Sequence, residues 1–181
     1  MTALFLASAA GHTDSVAALL AAGADPDPRS QSGGSPLLAA AGAGHREVTR
    51  LLLRAGADPA ACLWDGECLA GGDPAALSAG ANPILLAAQN GHVSLLGDLL
   101  GQPGSQVDSR RRDGATALWM ASQGGHTACV AALLASGAAV DLARQDGATP
   151  TFKACQKGHE AVAELLLRAG PRLDLLEVRT T

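Results

Sequence analysis

The sequence predicts an all-α solenoid of five stacked helix-turn-helix units with short hairpin-like tips between them. Three observations support this prediction. A Gly-His pair recurs with its glycine at positions 11, 44, 91, 125 and 158, so the spacings are 33, 47, 34 and 33 residues. An alanine stands four residues before every one of these glycines, and two leucines stand eight and nine residues after it. A period of this length, kept along a whole chain, is typical of repeats that stack on one another.

Each unit is predicted to begin with a short capped helix. Nine residues before each recurring glycine stands a side chain that can accept a hydrogen bond from the first turn of a helix. In three units a proline follows at the first helical position, where its missing N–H is no loss. The glycine then ends the helix, because a residue without a Cβ takes the left-handed turn freely. The capping residues are Thr2, Ser35, Asn82, Thr116 and Thr149, and the prolines are Pro36, Pro83 and Pro150.

A second helix is predicted after each Gly-His pair. It carries the two leucines and, four or five residues after the glycine, an apolar residue such as Val16 or Val130, which gives an apolar stripe of helical period. A polar link then leads to Asp113-Gly114 or Asp146-Gly147, and such dipeptides predict a hairpin-like tip before the next cap. The glycines predicted to end this helix are Gly23, Gly56, Gly137 and Gly170.

Stacking is expected to supply the stability of these units, because isolated helices shorter than about 12 residues are marginal in water. One buried leucine contributes roughly 1.5–3 kcal/mol. All ten paired leucines are therefore predicted to lie in the core, and Leu134→Ala is expected to cost ~2–5 kcal/mol. The pairs are Leu19-Leu20, Leu52-Leu53, Leu99-Leu100, Leu133-Leu134 and Leu166-Leu167.

Three segments of the chain resemble the ankyrin repeat: Ser35-Pro36-Leu37-Leu38-Ala39-Ala40, Asp146-Gly147-Ala148-Thr149-Pro150 and Gly23-Ala24-Asp25. The resemblance covers essentially the whole chain and implies a stack that recognises another protein. One departure is consistent, because the family usually has a histidine three residues after the cap. Here that position is apolar, and we expect its polar bond to be replaced by apolar packing between neighbouring repeats. The residues at this position are Phe5, Leu38, Leu85, Trp119 and Phe152.

The repeat boundaries follow from the recurring glycines. We expect a single domain over residues 1–181, with repeats at about 1–32, 33–66, 80–113, 114–146 and 147–176. The spacing of 47 residues exceeds 33 by 14, which places an insertion at about residues 67–80. Its sequence has little to bury and two turn points, so a mobile loop is predicted there.

Composition narrows the cellular setting and the class of partner. The 181 residues carry a net charge of −4, and the chain has four cysteines. That charge gives no general attraction to nucleic acid or to an anionic membrane, and no stretch reaches the ~18 apolar residues of a membrane helix. The cysteines are too few for a disulfide-stapled scaffold. We therefore expect a cytoplasmic or nuclear protein, as a monomer or as part of a longer array.

No enzymatic site, metal site or cofactor is predicted. The five histidines share one position in the repeat and are interpreted as structural: His12, His45, His92, His126 and His159. Cys62 and Cys68 flank the second tip with a spacing unlike that of a zinc knuckle. An alternative function nevertheless uses this pair, as a redox-responsive or metal-responsive regulator. Trp64, which lies between the two cysteines, is a candidate aromatic anchor for a partner. The alternative interpretation is that it packs against the adjoining tip.

A run of three arginines precedes the tip at Asp113 and is the most concentrated positive charge in the chain. Arg110, Arg111 and Arg112 could bind an acidic partner segment or phosphate, which gives a second alternative, a phosphate or nucleic-acid binder. The other interpretation is a solvated tip flanked by Asp108 and Asp113.

The resemblance places partner contacts on the tips and on the two residues before each Gly-His pair. These positions vary in residue type while the repeat positions do not, as expected of a fixed scaffold with adjustable contacts. We therefore predict a non-enzymatic adaptor that binds another protein through its concave face. The predicted contact residues are Gln31, Ser32, Gln89, Asn90, Arg110, Arg111, Arg112, Asp113, Gln123, Gln145, Asp146, Gln156 and Lys157, with Gly34 and Ala115 beside them.

Overall fold

The computed structural model describes residues 2–28, 34–59 and 82–171. Gln31, Ser32, Cys62, Trp64, Cys68 and the predicted insertion at 67–80 lie outside these ranges. The described chain forms ten α-helices in five pairs, which we call repeats 1 to 5, and no strand. The pairs are α1 (Ala3–Ala9) with α2 (Thr13–Ala21), α3 (Pro36–Ala43) with α4 (Arg46–Arg54), α5 (Pro83–Gln89) with α6 (Val93–Leu100), α7 (Ala117–Gly124) with α8 (Thr127–Ala135), and α9 (Pro150–Lys157) with α10 (Glu160–Arg168). None of these helices is long and apolar enough to cross a membrane.

The predicted caps begin the first helix of every pair. Thr116 Oγ1, for example, accepts a hydrogen bond from the Trp119 N–H at 3.2 Å, and Asn82 Oδ1 accepts one from the Leu85 N–H at 2.8 Å. The equivalent bonds form at Thr2, Ser35 and Thr149. The recurring glycine after each of these helices has a φ between 71° and 78°. Local sequence signals therefore set both ends of these helices.

The helices form two layers. The first helices, α1, α3, α5, α7 and α9, pack on one another in series and form the inner layer. The second helices, α2, α4, α6, α8 and α10, form the outer layer in the same order. Helix α3 packs directly on α5 although residues 44–82 separate them in the chain. The stack therefore runs on across the irregular spacing.

The hydrophobic core lies between the two layers, and in repeats 2 to 5 the first leucine of each pair is at its centre. Leu52, Leu99, Leu133 and Leu166 are completely buried. The second leucine is partly buried in repeats 2, 3 and 4, and Leu167 is 47% exposed. The prediction that all ten leucines are core residues was therefore wrong for the second position, because adjacent residues on a helix point about 100° apart. It was also wrong for Leu19 of repeat 1, which is only partly buried, as is Leu20.

The apolar position three residues after the cap is buried in repeats 1 to 4. Phe5, Leu38 and Leu85 bury apolar side chains there, and Phe152 of repeat 5 is half-buried. Trp119 differs, because its indole Nε1–H donates a hydrogen bond to the Ala148 carbonyl oxygen at 3.0 Å. The expectation that apolar packing replaces the polar bond was therefore wrong for repeat 4, since an indole combines a large apolar surface with one N–H donor.

Candidate interaction face

The histidines join each inner helix to the next. The Nε2 atom of His45 lies 3.1 Å from the Ala9 carbonyl oxygen, and that of His126 lies 2.9 Å from the Gln89 carbonyl oxygen. His92 and His159 contact the Gly42 and Gln123 carbonyl oxygens in the same way. Each of these four side chains thus binds the end of the preceding inner helix, which fixes the register of the layer.

The glycine of each pair makes room for the next histidine. A Cβ built on Gly44 would lie 2.5 Å from the His92 ring, and one on Gly125 would lie 2.8 Å from the His159 ring. Gly158 differs, since nothing lies within 4 Å of a Cβ built there. Glycine is thus required twice at Gly44, by its left-handed backbone and by the close approach of a ring. In the described ranges, no group of three or more His, Cys, Asp or Glu side chains is placed to hold a metal ion.

The two described tips are hairpins that pair with each other. In the first tip the Arg111 N–H donates to the Ala115 carbonyl oxygen at 2.9 Å, and in the second the Arg144 N–H donates to the Ala148 carbonyl oxygen at 3.0 Å. Gln145 connects them: its backbone N–H donates to the Asp113 carbonyl oxygen at 2.9 Å and its Nε2 donates to the Arg112 carbonyl oxygen at 2.6 Å. The tips therefore form one continuous edge beside the inner helices.

Asp113 is the centre of an ion-pair cluster at this edge. Arg111 Nη2 lies 2.8 Å from Asp113 Oδ2, and Arg144 Nε from the next tip lies 3.2 Å from the same oxygen. Partial burial acts to raise the pKa of Asp113, but hydrogen bonds from Arg111 and from the Ala115 N–H, with the charges of Arg111 and Arg144, outweigh it and lower the pKa. Asp113 therefore stays ionised and holds two cations in fixed positions.

Trp119 connects this cluster to the inner helix of repeat 5. The guanidinium carbon of Arg144 lies 5.2 Å from the centroid of the indole ring, and Lys153 Nζ lies 5.5 Å from it. Both distances are within the range of cation–π attraction. Lys153 Nζ also donates a hydrogen bond to Gln156 Oε1 at 2.8 Å. The tips and α9 thus present their cations on one surface.

The arginine triplet does not act as one group of solvated cations. The Arg111 side chain is 17% exposed and is ion-paired within its own tip. Arg110 and Arg112 are exposed, and the Arg112 carbonyl oxygen is the one bound by Gln145. Asp108, which we expected to flank the triplet, accepts a hydrogen bond from the Ala139 N–H of the next link at 3.0 Å.

The predicted contact residues on the inner helices differ in exposure. Asn90, Gln156 and Lys157 are exposed, whereas Gln89 and Gln123 are half-buried. The Asn90 amide donates to the Gly42 carbonyl oxygen at 2.8 Å and so also holds two repeats together. At the second tip Gln145 and Asp146 are exposed, and Asp146 Oδ1 accepts a hydrogen bond from the Ala148 N–H at 3.1 Å. Ala115 and Gly34 are buried.

Two cations of this surface were missed by the sequence interpretation. Arg144 stands two residues before Asp146, as Arg111 does before Asp113, so a repeated Arg-x-Asp-Gly pattern marks both tips. Lys153 and Lys157 are the only lysines in the chain, and they lie four residues apart on α9. Both patterns are visible in the sequence. Only the stacking of repeats 4 and 5 shows that Arg144 and Lys153 meet at the Trp119 ring.

Two layers of short helices with paired tips and an open inner surface define an α-helical repeat solenoid. The family model described as ankyrin repeats (three copies) matches residues 1–61 and 84–176. The chain therefore belongs to the ankyrin-repeat family. The search of curated proteins found no match to this chain.

Proposed function

We propose that this chain is a non-enzymatic adaptor that holds another protein on its inner face. We define the inner face as the solvent-exposed side of α1, α3, α5, α7 and α9 together with the tips. Ankyrin repeats generally mediate protein–protein interaction, and the proposal applies that role to a particular surface of this chain. Partner residues are proposed to lie among the predicted positions, including Gln31 and Ser32.

One observation supports this proposal above the others: the fixed part of the scaffold and its adjustable part are separate. The caps and the Gly-His contacts recur from unit to unit and form hydrogen bonds within the protein. The first leucines of repeats 2 to 5 recur as well and are buried in the core. The exposed residues just before the Gly-His pairs are alanines in repeats 1 and 2, whereas Asn90, Gln156 and Lys157 are exposed there in repeats 3 and 5. Variation at exposed positions of a rigid frame is what a recognition surface requires.

A capture experiment with matched variants tests the proposal. Gln123, Gln156 and Lys157 are changed together to alanine, and the control changes Ser94, Ser136 and Arg168, which are exposed in the outer layer. Each variant loses one positive charge and two neutral polar side chains. We expect quantitative mass spectrometry of captured proteins to show loss of a partner from the inner variant and its retention by the control. Equal capture by both variants would contradict the proposal.

The cellular setting is proposed to be the cytoplasm or the nucleus. Cys129 is buried and Cys155 is exposed, and both are free thiols, which suits a reducing compartment. Burial raises the pKa of the Cys129 thiol, so this cysteine is expected to be unreactive. Fluorescence microscopy of the tagged chain checks this proposal, and accumulation in a secretory compartment would contradict it.

A regulator that uses Cys62 and Cys68 is a second candidate function. It is supported by the sequence alone, since both cysteines lie outside the described residues. Cys62→Ser with Cys68→Ser would abolish an oxidation-dependent change in partner capture if this function exists. Capture that is insensitive to oxidant in the unchanged protein would exclude it.

A further inference from the structure

The inner face of repeats 3 to 5 carries a charge opposite to that of the whole chain. The tips at 110–116 and 143–149 and the helices α5, α7 and α9 hold six cations and two carboxylates, which gives a net charge of +4. The chain as a whole has a net charge of −4. We call these eight residues the basic face: Arg110, Arg111, Arg112, Asp113, Arg144, Asp146, Lys153 and Lys157.

Positive charge on the inner helices comes from one helix alone. Helices α1, α3, α5 and α7 contain no charged residue, whereas α9 contributes Lys153 and Lys157. The outer helices carry charges of both signs, and those of repeats 2 and 3 pair across the stack, with Arg46 Nε 2.7 Å from Asp98 Oδ2. The outer helices therefore carry a mixture of signs, whereas the inner helices carry only the two positive charges of α9.

The cations of the basic face are only partly neutralised within the protein. Asp113 is shared by Arg111 and Arg144, and Asp146 lies 3.7 Å from Arg144 Nη1. Lys153 contacts the Trp119 ring and a neutral glutamine. In the described ranges, Arg110, Lys153 and Lys157 have no carboxylate within ion-pair distance of their side chains. Like charges held this close repel, so a ligand that brings negative charge is favoured.

The same geometry favours carboxylates over nucleic acid. Asp113 and Asp146 stand among the cations, where they would repel a continuous phosphate backbone. Trp119 is 2% exposed and offers no open ring on which a base could stack. An extended acidic peptide carries separate carboxylates, and its side chains alternate in direction. Its carboxylates can therefore contact the cations and avoid the two aspartates.

We propose that the basic face binds an extended segment of a partner protein that is rich in Asp and Glu, with carboxylates contacting Arg110, Lys153 and Lys157. This inference rests on the proposed function and names the chemistry of the partner at that surface. The paired tips fix the backbone beside Arg110, and the contacts with Trp119 and Gln156 hold Lys153 in place before binding, which limits the entropy lost on association.

Direct binding of a defined probe tests the inference. The probe is a fluorescent 12-residue peptide of alternating Glu and Ser, and its control has Gln in place of Glu. Fluorescence anisotropy is expected to show binding of the Glu peptide alone, weakening at least tenfold as the ionic strength rises from about 0.01 M to about 0.15 M, where the Debye length falls from ~30 Å to ~8 Å. Equal binding of both peptides overturns the inference, as does tighter binding of a 12-nucleotide single strand of DNA.

Matched variants locate the site. Arg110→Gln with Lys157→Gln removes two exposed cations that make no side-chain bond in the described structure, so folding is expected to be unchanged by circular dichroism. We expect binding of the Glu peptide to weaken about fivefold or more. The control, Arg54→Gln with Arg168→Gln, removes two exposed cations from the outer layer and is expected to bind normally. Equal weakening in both double variants would mean attraction to net charge alone and would overturn the inference.

Zero-length cross-linking provides a second, independent measurement. A carbodiimide activates a peptide carboxylate, which then forms an amide bond with an amine in contact with it. The adduct is expected at Lys153 or Lys157, the only lysines of the chain, and an adduct confined to the N-terminal amine overturns the inference. If the acidic peptide fails to bind while partner capture still depends on Gln123, Gln156 and Lys157, the inference fails and the proposed function stands. If the peptide binds but no partner depends on these residues, the proposed function fails instead.

Discussion

Trp119 in repeat 4 donates its indole N–H to the Ala148 carbonyl oxygen at the tip that leads into repeat 5. The same ring lies beneath Arg144 and Lys153, with centroid distances of 5.2 and 5.5 Å. One buried side chain therefore holds the junction of two repeats and also positions two cations of the basic face.

The first prediction concerns this junction. Trp119→Phe removes one of two donors to the Ala148 carbonyl oxygen, which keeps the Arg144 N–H, and it also replaces a buried indole by a smaller ring. We therefore expect a loss of ~1–3 kcal/mol in the free energy of unfolding from the hydrogen bond and the lost packing together. Urea denaturation followed by circular dichroism measures it. The control is Leu85→Met, a volume-conserving change at the same position of repeat 3, which is expected to cost less than about 1.5 kcal/mol. A loss in Trp119→Phe no larger than in the control would contradict the role of this side chain in holding the junction.

The second prediction separates the two leucines of a pair. Leu133 is completely buried, whereas Leu134 is partly buried. Leu133→Ala is therefore expected to lower the free energy of unfolding by ~3–5 kcal/mol. The loss for Leu134→Ala is expected to be at or below the lower end of the ~2–5 kcal/mol range for buried leucines. Both values come from the denaturation midpoint and slope, and a larger cost at Leu134 would contradict the assignment of the core.

The third prediction tests the contact between glycine and histidine. Gly158 and Gly44 both have a left-handed backbone, with φ of 73° and 78°, so alanine at either position costs about 1–2 kcal/mol of strain. At Gly44 the new methyl group would also strike the His92 ring, which adds about 1–3 kcal/mol of overpacking. Thermal unfolding should therefore show Gly44→Ala to be clearly less stable than Gly158→Ala, and equal melting temperatures would exclude the steric role of the ring.

The fourth prediction is a stabilising substitution. Thr151 takes a position at which repeats 2 and 4 have a buried leucine, and its side chain is 1% exposed with an Oγ1 that has no partner in the described structure. Thr151→Val keeps the shape and removes the unsatisfied hydroxyl, so we expect a gain of roughly 1 kcal/mol. Thr149→Val in the same helix removes the cap to the Phe152 N–H and is expected to lose roughly 1 kcal/mol. A Thr151→Val protein less stable than the unchanged one would refute the prediction.

The fifth prediction follows from two aspartates with depressed pKa values. A hydrogen bond from Arg46 lowers the pKa of Asp98 from its ordinary value of 3.8. The pKa of Asp113 is also lowered from 3.8, because its hydrogen bonds and neighbouring cations outweigh its partial burial. Stabilisation by a carboxylate whose pKa is lower in the folded state is present above 3.8 and is lost as the pH falls below that value. We therefore expect the free energy of unfolding to decrease as the pH is lowered from about 4. This decrease is expected to be less steep in Asp113→Asn. An unchanged slope in that variant would show that the cluster does not contribute.

The fold could be predicted largely from the sequence because its signals are local. The cap Asn82, the following Pro83 and the terminating Gly91 each act within one turn of a helix. The same signals recur in the other units, so the same helix forms in each of them. The burial of Leu133 in preference to Leu134 could not be predicted, because the period of the sequence does not fix which of two adjacent side chains faces the other layer.

The candidate site could be predicted only in outline. The tips and the residues before the Gly-His pairs were proposed from the resemblance, and Gln145 and Lys157 are exposed beside the inner helices. The pairing of Asp113 with Arg144 spans two tips, and the approach of Lys153 to Trp119 spans two repeats. Such contacts depend on the distance between stacked units, which no single repeat encodes.

The placement of both lysines on α9 has a practical consequence for handling this protein. Reagents that acylate primary amines, such as succinimidyl dyes and sensor-chip coatings, will attach at Lys153 and Lys157 and at the α-amino group. Covalent immobilisation through lysine would thus hold the basic face against the support. Attachment through an engineered tag on the outer layer would leave that surface open to solvent.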